Sequence, residues 1–303
     1  MTHDLENMNR QATQQALRYM GHFALPTLLM TAGLFASYAM TYYLAFNGEM
    51  PLSIAVFAVA AITYMSYTPL HEAVHGNING RHRSLSYLND ACGYLAAQIV
   101  LIPYASHREE HLAHHRHTNV PGKDPDFMLK DMGRSLFASA QAVLRFWWMQ
   151  MTYAVKGGVS ASSRNTRLIF LAELSVALAW RVALFVLAPK IMAIIQVGYF
   201  LGLAFTTYWF AYRPHLPYED SARYRNTNSM VFPLWAKPVE WFWLGQNLHS
   251  IHHAFPRVPF YRYHALFRRI EAVMRANGNV VIDIFSRRPL RPHHAVAAKP
   301  NRV

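Results

Sequence analysis

Eight histidines of this 303-residue chain form three short clusters with the spacing of metal ligands. Spacings of three and four residues place the histidines of one cluster on the same face of a helix. Imidazole is the commonest side-chain metal ligand, and one zinc ion usually takes only four ligands. The clusters therefore predict a site for two metal ions. Their members are His71, His75, His111, His114, His115, His249, His252 and His253.

The elements that must position these histidines have the composition of a membrane protein. Apolar residues make up 53% of the chain and charged residues only 15%, against about 25% charged in a typical soluble protein. Four stretches are apolar and long enough to cross a hydrocarbon core about 30 Å thick. Short turns join the first two and the last two, so we predict an all-α protein with four transmembrane helices in two hairpins. The stretches are 23–46, 51–70, 168–188 and 191–210.

The distribution of positive charge predicts the orientation of these helices. Outside the four stretches, 27 Lys and Arg residues fall on one side and only Lys190 on the other. The positive side should be cytoplasmic, and it also carries all three histidine clusters. We therefore expect a cytoplasmic helical cap that holds the two metals. The net charge of +13 is then a topology signal and a contact for anionic lipid, and no recognition module indicates nucleic acid.

Three further features of the chain depend on this topology. The apolar stretches 91–105 and 135–155 cannot cross if the clusters share one site, so we interpret 91–105 as re-entrant or buried and 135–155 as an interfacial amphipathic helix. Within 168–188, Glu173 and Arg181 are costly in lipid, so we expect them to face other helices, or Arg181 to reach the interface.

The domain organisation follows from the same stretches. We predict a cytoplasmic segment 1–22 without a cleavable signal peptide, one catalytic membrane domain 23–285, and a basic flexible tail 286–303. The location that fits is a bacterial inner membrane. The single cysteine, Cys92, excludes an internal disulfide and a cysteine-ligated iron–sulfur cluster. No Gly-x-Gly-x-x-Gly or phosphate-binding loop indicates a nucleotide or flavin domain.

The identity of the metal is constrained by the donor set. His71-Glu72-x-x-His75 is also the pattern of a zinc protease with Glu72 as general base, but that site needs only one further ligand and leaves the other histidines idle. Carboxylate-bridged di-iron bundles need Glu-x-x-His on two helices, which this sequence lacks. Two redox metals suit an all-nitrogen set, with iron the usual choice where dioxygen is activated. A non-catalytic metal or haem carrier is a further alternative.

The residues resemble the integral-membrane fatty acid desaturase and hydroxylase superfamily, which has three histidine boxes. The resemblance extends from the first apolar stretch to Phe267. Within the superfamily, the chain looks most like the desaturase-like beta-carotene hydroxylases. The matching motifs are His71–His75, His111–His115 with Thr118-Asn119 and Asp124-Pro125-Asp126, Pro214-His215 with Tyr218-Glu219-Asp220, and Gln246–His253 followed by Phe255–Tyr263.

The resemblance implies a non-haem di-iron centre held by the eight histidines and a ninth, for which His215 is the position that fits. Acyl-CoA desaturases place an asparagine four residues before that histidine, whereas this chain has Ala211, and Asn247 is not assumed to replace it. The implied reaction is dioxygen-dependent oxidation of a lipid C–H bond. Hydroxylation of a carotenoid ring is preferred, with fatty-acyl desaturation as the alternative. Electrons should come from a carrier such as ferredoxin with its reductase.

Five other residues are candidates for a supporting role around the metals. Asp124 and Asp126 can orient ligand imidazoles by accepting their second N–H, or they merely shape a turn around Pro125. Glu72 is next to a ligand and can play the same orienting part. His107, one turn before His111, is either a tenth ligand or a supporting residue. The helix that carries both is expected to begin near Ser106 as its N-cap. Asn247 precedes the third cluster.

Overall fold

The computed structural model of the protein describes residues 2–156 and 163–285, and within them the chain is mostly helical. The predicted tail 286–303 lies outside the described residues. The helices in chain order are α1 Thr2–Leu17, α2 Leu25–Phe46, α3 Leu52–Val74, α4 Ser86–Val100, α5 Tyr104–His117, α6 Leu136–Lys156, α7 Arg164–Leu187, α8 Pro189–Thr206, α9 His249–Ala254 and α10 Tyr263–Ala276.

Four helical segments are long and apolar enough to cross a membrane: α2, α3, α7, and α8 with its continuation to His215. Each lies where the sequence predicts a span, but the bounds differ. α3 continues through Pro69 to Val74, so His71 is inside the helix and does not follow it as predicted. α7 begins at Arg164 because the Ser163 hydroxyl accepts the Thr166 N–H at 3.1 Å. α6, the predicted interfacial helix, is not among the candidate spans.

α3 lies at the centre of the helical core and packs against α2, α4 and α8. Two glycines of α8 make the closest of these contacts possible. A Cβ atom at Gly198 would collide with the backbone carbonyl of Val56, and one at Gly202 with that of Ala60. Small residues of this kind let membrane helices approach closely. α3, which carries His71 near its end, and α8, whose chain continues to His215, are therefore packed closely together at this point.

α4 and α5 form a pair bent by 96° at a short break, where Leu101 adopts a left-handed conformation with φ of 50°. Two charged side chains of α7, Glu173 and Arg181, bond to backbone groups on either side of this break. The Glu173 carboxylate accepts the N–H groups of Tyr104 and Ala105 at 2.8 and 3.0 Å. Arg181 donates to the carbonyls of Gln98 and Ile99 at 2.6 and 3.3 Å.

Because Glu173 caps α5, the helix begins earlier than the sequence predicts. The sequence suggests Ser106 as the N-cap, but the helix begins at Tyr104 after Pro103. The Ser106 hydroxyl instead donates to the Pro103 carbonyl at 3.2 Å. The prediction failed because the cap comes from another helix, which no local pattern can indicate.

Outside the long helices, α1, α9, α10 and two short strands pack against one another. α1 packs along α10, and buried side chains of both join one apolar cluster with α9. The all-α prediction missed a small parallel sheet, in which β1 Ser229–Val231 pairs with β2 Val281–Asp283. Its strands are only three residues long, and the Ser229 hydroxyl bonds to Ser250 and Asn279, both at 2.6 Å. This polar contact ties the sheet to α9.

Candidate metal centre

The first two histidine clusters lie on helices that run side by side. His71 is in the last turn of α3 and His75 is the residue that ends it. Along α5, His111 faces His71 with ring centroids 4.6 Å apart, and His115 faces His75 at 4.8 Å. The facing histidines are four residues apart on both helices, so the two rows of imidazoles stay in register.

The third cluster is on α9, a helix of six residues that are all buried. Gly245, with φ of 77°, begins the turn that leads into it. A Cβ at this position would approach the Phe260 carbonyl oxygen to 2.8 Å, so glycine allows the chain after α9 to pack against it. α9 ends at Ala254, two residues before Pro256.

His215 reaches the same site from α8. Beyond Thr206 the helix widens into a π-helical segment, Thr207–Tyr212, and then tightens into a 3-10 turn, Arg213–His215. Single π turns are rare and occur often at functional sites. The change of pitch ends with the His215 ring 4.8 Å from that of His114 and 4.9 Å from that of His253, measured between centroids.

All nine predicted ligands therefore come together, and their nitrogen atoms divide into two groups. Atoms of the first group lie within 4.8 Å of one another, and so do those of three residues of the second. His249 joins the second group, because its Nε2 lies 3.2 Å from that of His253. The first group is His71, His75, His111, His115 and His252, and the second is His114, His215, His253 and His249.

The spacing of the facing nitrogens fits metal ions. The Nε2 atom of His115 lies 3.1 Å from that of His111 and 2.8 Å from that of His252, and those of His114 and His253 are 3.4 Å apart. Nitrogens bound at about 2.0–2.1 Å to one ion are about 2.8–3.4 Å from each other, from octahedral to tetrahedral angles. Both groups thus have the donor separation that a bound ion requires.

Unsatisfied ring nitrogens support the same conclusion. Among the described residues, neither ring nitrogen of His71 has a hydrogen-bond partner, nor do Nε2 of His75 and Nδ1 of His215, although all are buried. Buried polar atoms without partners are rare in native proteins. Burial also lowers the pKa of His252 and His253 well below its usual value. Both imidazoles are therefore neutral at physiological pH, which is the form that binds metals.

Three of the nine imidazoles have outward hydrogen bonds of 3.3 Å or less that fix the orientation of the ring. Nδ1 of His114 lies 2.8 Å from the Asp124 carboxylate. Nδ1 of His252 lies 3.1 Å from the Tyr263 hydroxyl, and Nδ1 of His249 lies 3.3 Å from the Gln246 side-chain oxygen. In each case the Nε2 atom is left facing the other histidines, as in known metal sites whose ligands are held by outer hydrogen bonds.

Asp124 is fixed by its own neighbours as well. It accepts the backbone N–H groups of Asn119 at 2.7 Å and Asp126 at 2.9 Å. The Asp126 carboxylate lies 3.7 Å from His114 Nδ1, beyond hydrogen-bond distance. Both alternatives considered for this segment thus occur together, since Asp124 shapes the turn and contacts a ligand.

The other three candidates lie near the site without contacting a ligand nitrogen through a hydrogen bond. Glu72 turns away from the histidines and accepts from Asn77 at 3.2 Å. Asn247 donates to the Met230 carbonyl at 3.0 Å and to Glu240 at 3.1 Å. His107 contacts Gln150 at 3.2 Å and is outside both groups of converging nitrogens.

Two supporting side chains were missed by sequence reasoning. Glu110 lies 3.0 Å from His107 and, like Gln150, is almost fully buried. Glu110 has the local signal of a carboxylate next to a ligand, whereas Gln150 has none, because it comes from the separate helix α6. Tyr263 is part of the quoted motif, but only the fold shows its contact with His252.

Comparison with known proteins agrees with this geometry. The profile of the family described as "Fatty acid desaturase" matches residues 49–285. That range includes both groups of histidines and three of the four candidate spans. The chain belongs to this family. Its resemblance to the membrane desaturases and hydroxylases is thereby confirmed, and the family together with the four apolar helices indicates a multi-pass membrane protein.

Relatives with named activities are carotenoid enzymes. A beta-carotene ketolase of Haematococcus lacustris is 34% identical over 111 residues, which are 32% of this chain and 34% of the relative. A beta-carotene 4-ketolase of Protosiphon botryoides is 35% identical over 75 residues, 24% of this chain and 19% of the relative. The chain thus matches at most about a third of the length of these relatives.

Proposed function

We propose that the protein is a di-iron oxygenase that hydroxylates a ring carbon of a beta-carotene-type carotenoid. The observation that carries this proposal is the convergence of nine histidines, seven of them buried and two half-buried, in two groups of five and four. Membership of the desaturase family and the carotenoid activities named for the relatives support the substrate class. The expected balance is one substrate C–H bond, one dioxygen, two electrons and two protons giving one hydroxyl group and one water.

The residues of the chain supply the binding and orientation that this reaction needs. The two histidine groups would each hold one iron ion, and the irons when bound would supply the dioxygen activation that side chains cannot perform. Asp124, Tyr263 and Gln246 keep three ligand rings in position. The buried walls, including Tyr67 and Phe210 against His71, exclude water from the oxidation.

The proposal also includes the path of the chain through the membrane. Asn89 in the first turn of α4 donates to the Ala73 carbonyl at 2.8 Å, and His115 near the end of α5 contacts His75. The bent pair therefore starts and ends beside the same end of α3, which favours a re-entrant segment over a broken span. We infer two helical hairpins with the site on the cytoplasmic side of a bacterial inner membrane, as the positive charges predict.

The test is expression in a bacterial host that accumulates beta-carotene, followed by mass analysis of pigments and fatty acids. A pigment that gains one oxygen atom supports hydroxylation. The His252→Ala variant is the matched negative control, and purified protein should contain two iron ions per chain. One zinc ion per chain would instead indicate the protease alternative, and absence of dioxygen consumption a metal carrier.

A second outcome on the same carbon is favoured by the relatives, whose names specify ketolases. Two successive hydroxylations of one CH₂ group, followed by loss of water, give a ketone. The pigment then gains one oxygen and loses two hydrogens. Fatty-acyl desaturation predicts no change in the pigment and a loss of two hydrogens from an acyl chain, so one extraction distinguishes all three reactions.

A separate protein must supply the electrons. The chain has no signature for a flavin, haem or cysteine-ligated cluster, so we propose a carrier such as ferredoxin, reduced by its own reductase. Turnover should then require the carrier and decrease at high salt, because an acidic carrier would meet a basic surface. Salt-independent turnover with a nicotinamide cofactor alone would contradict this.

A further inference from the structure

The segment Phe260–Tyr263 extends from the protein surface to the histidine clusters. Phe260–Arg262 forms a 3-10 turn that leads directly into α10. The backbone of Phe260 lies close to the Glu72 carboxylate, next to His71. Tyr263 is fully buried with its hydroxyl 3.1 Å from His252, whereas Arg262 is exposed. This segment therefore connects solvent with a ligand of the first group.

Around this segment lies a surface group that we name the arginine–tyrosine patch: Tyr19, Tyr261, Arg262 and Arg269. The Arg262 guanidinium lies 5.4 Å from the centroid of the Tyr261 ring and 6.0 Å from that of Tyr19. Arg269 lies 5.9 Å from the centroid of the Tyr19 ring and donates to Gln15. Both arginines are exposed and both tyrosines are half-buried.

The two positive charges of the patch are not neutralised within the part of the chain that the structure describes. Ion pairs there join Arg10 to Glu6, Arg225 to Asp220 and Arg275 to Glu271, but none joins Arg262 or Arg269 to a carboxylate. Their positions are set by tyrosine rings and a glutamine, which leave the charge of each guanidinium available. A partner with carboxylates at its surface would complement the patch.

We propose that the arginine–tyrosine patch is the docking surface for an acidic one-electron carrier protein, whose electron enters the metal site through Tyr263 and His252. This inference rests on the proposed function. Each hydroxylation consumes two electrons, so two reduced carriers must bind in turn, and each leaves oxidised by one electron. Such encounters are brief and are guided by charge more than by buried area, which suits two exposed arginines between aromatic rings.

The contact between Tyr263 and His252 favours a protein partner over a membrane surface. A lipid headgroup can bind guanidinium groups equally well, but lipid binding would not involve the buried Tyr263 and its contact with His252. A carrier docked on Arg262 would place its redox centre next to the turn that precedes Tyr263. The route then consists of one residue of backbone, one aromatic ring and one hydrogen bond.

The test uses the full-length, iron-loaded protein in detergent, with an acidic [2Fe–2S] ferredoxin as the probe. We compare wild type with the double variant Arg262→Glu/Arg269→Glu, and with Arg83→Glu as an exposed control that is not part of the patch. The Kd for ferredoxin should rise about tenfold or more in the double variant and lose most of its salt dependence. Arg83→Glu should change the Kd less than about twofold, with iron content equal in all three.

The electron route is tested by Tyr263→Phe, which keeps the ring but removes the hydroxyl. Stopped-flow mixing without oxygen should show slower oxidation of reduced ferredoxin with an unchanged Kd. Tyr87→Phe, at an exposed tyrosine outside the patch and the route, is the control, and its rate should equal that of wild type. Iron content and reduction by dithionite, measured on the same samples, separate this effect from loss of the metal.

Three results would overturn the proposal. The first is that the double variant binds ferredoxin with the Kd of wild type. The second is that Arg83→Glu weakens binding as much as the double variant does. The third is that the two patch substitutions reduce binding to anionic phosphatidylglycerol vesicles but not to ferredoxin. The last result would assign the patch to the membrane surface. Failure of the carotene-host assay, with ferredoxin binding still lost in the double variant, would reject the proposed substrate and leave the docking surface standing.

Discussion

Asp124 holds His114 by a short contact, and its own position is fixed by two backbone N–H groups. It is therefore the clearest case of a supporting residue in the site. We predict that Asp124→Asn lowers iron affinity by about 10- to 100-fold, because an amide presents its oxygen less strongly to the ligand N–H. Iron titration of the apo-protein measures this, with Asp131→Asn, a half-buried position outside both histidine groups, as the control. Equal affinities would contradict the orienting role.

Removal of a ligand should act differently from removal of its support. His252 belongs to the larger group and faces His115 at 2.8 Å. We predict that His252→Ala abolishes oxidation of the pigment and reduces bound iron from two ions per chain to at most one. His82→Ala, at an exposed position outside both groups, should retain the iron and the activity of wild type. Metal analysis of both purified variants gives the comparison.

At the scale of elements, the capped break between α4 and α5 determines where the second histidine box lies. Glu173 is largely buried, and its two oxygens satisfy the first two N–H groups of α5. Near this carboxylate the partial positive charge of the helix N-terminus is neutralised. A membrane helix thus positions a helix that carries three of the proposed ligands.

We predict that Glu173→Ala destabilises the protein, since each buried N–H left without an acceptor costs about 1–3 kcal/mol. Glu173→Gln should have a smaller effect, because its remaining oxygen still accepts one of the two N–H groups. Thermal unfolding in detergent and iron content measure the series, with Val182→Ala on the exposed side of α7 as control. Identical unfolding of Glu173→Ala and wild type would show that the cap is unimportant.

For the whole molecule, the orientation in the bilayer is open to a direct test. The only cysteine, Cys92, is buried and free, so a Cys92→Ser background permits single labelling sites. We predict that Glu49→Cys and Lys190→Cys react with an impermeant maleimide added to intact cells. Arg83→Cys and Lys123→Cys should react only after the cells are opened. Labelling of Arg83→Cys in intact cells would reverse the proposed topology.

Several features could be predicted from the sequence because they depend on composition or on local periodicity. Four apolar stretches identified the four candidate spans, since a helix in lipid satisfies its backbone internally. The spacing of His111, His114 and His115 predicted one helical face. The bounds were less accurate, as the start of α5 shows, because helix ends depend on partners far away in the chain.

The sequence by itself predicted which residues are the ligands, how they are spaced on their helices, and that they share one side of the membrane. The tertiary structure decided how those ligands divide. It placed His249 and His215 with His114 and His253, and it separated Asn247 from the site by bonding it to Met230 and Glu240. The physical reason is that the two groups mix histidines from four separate chain segments, so the distances between them depend on packing contacts that periodicity does not encode.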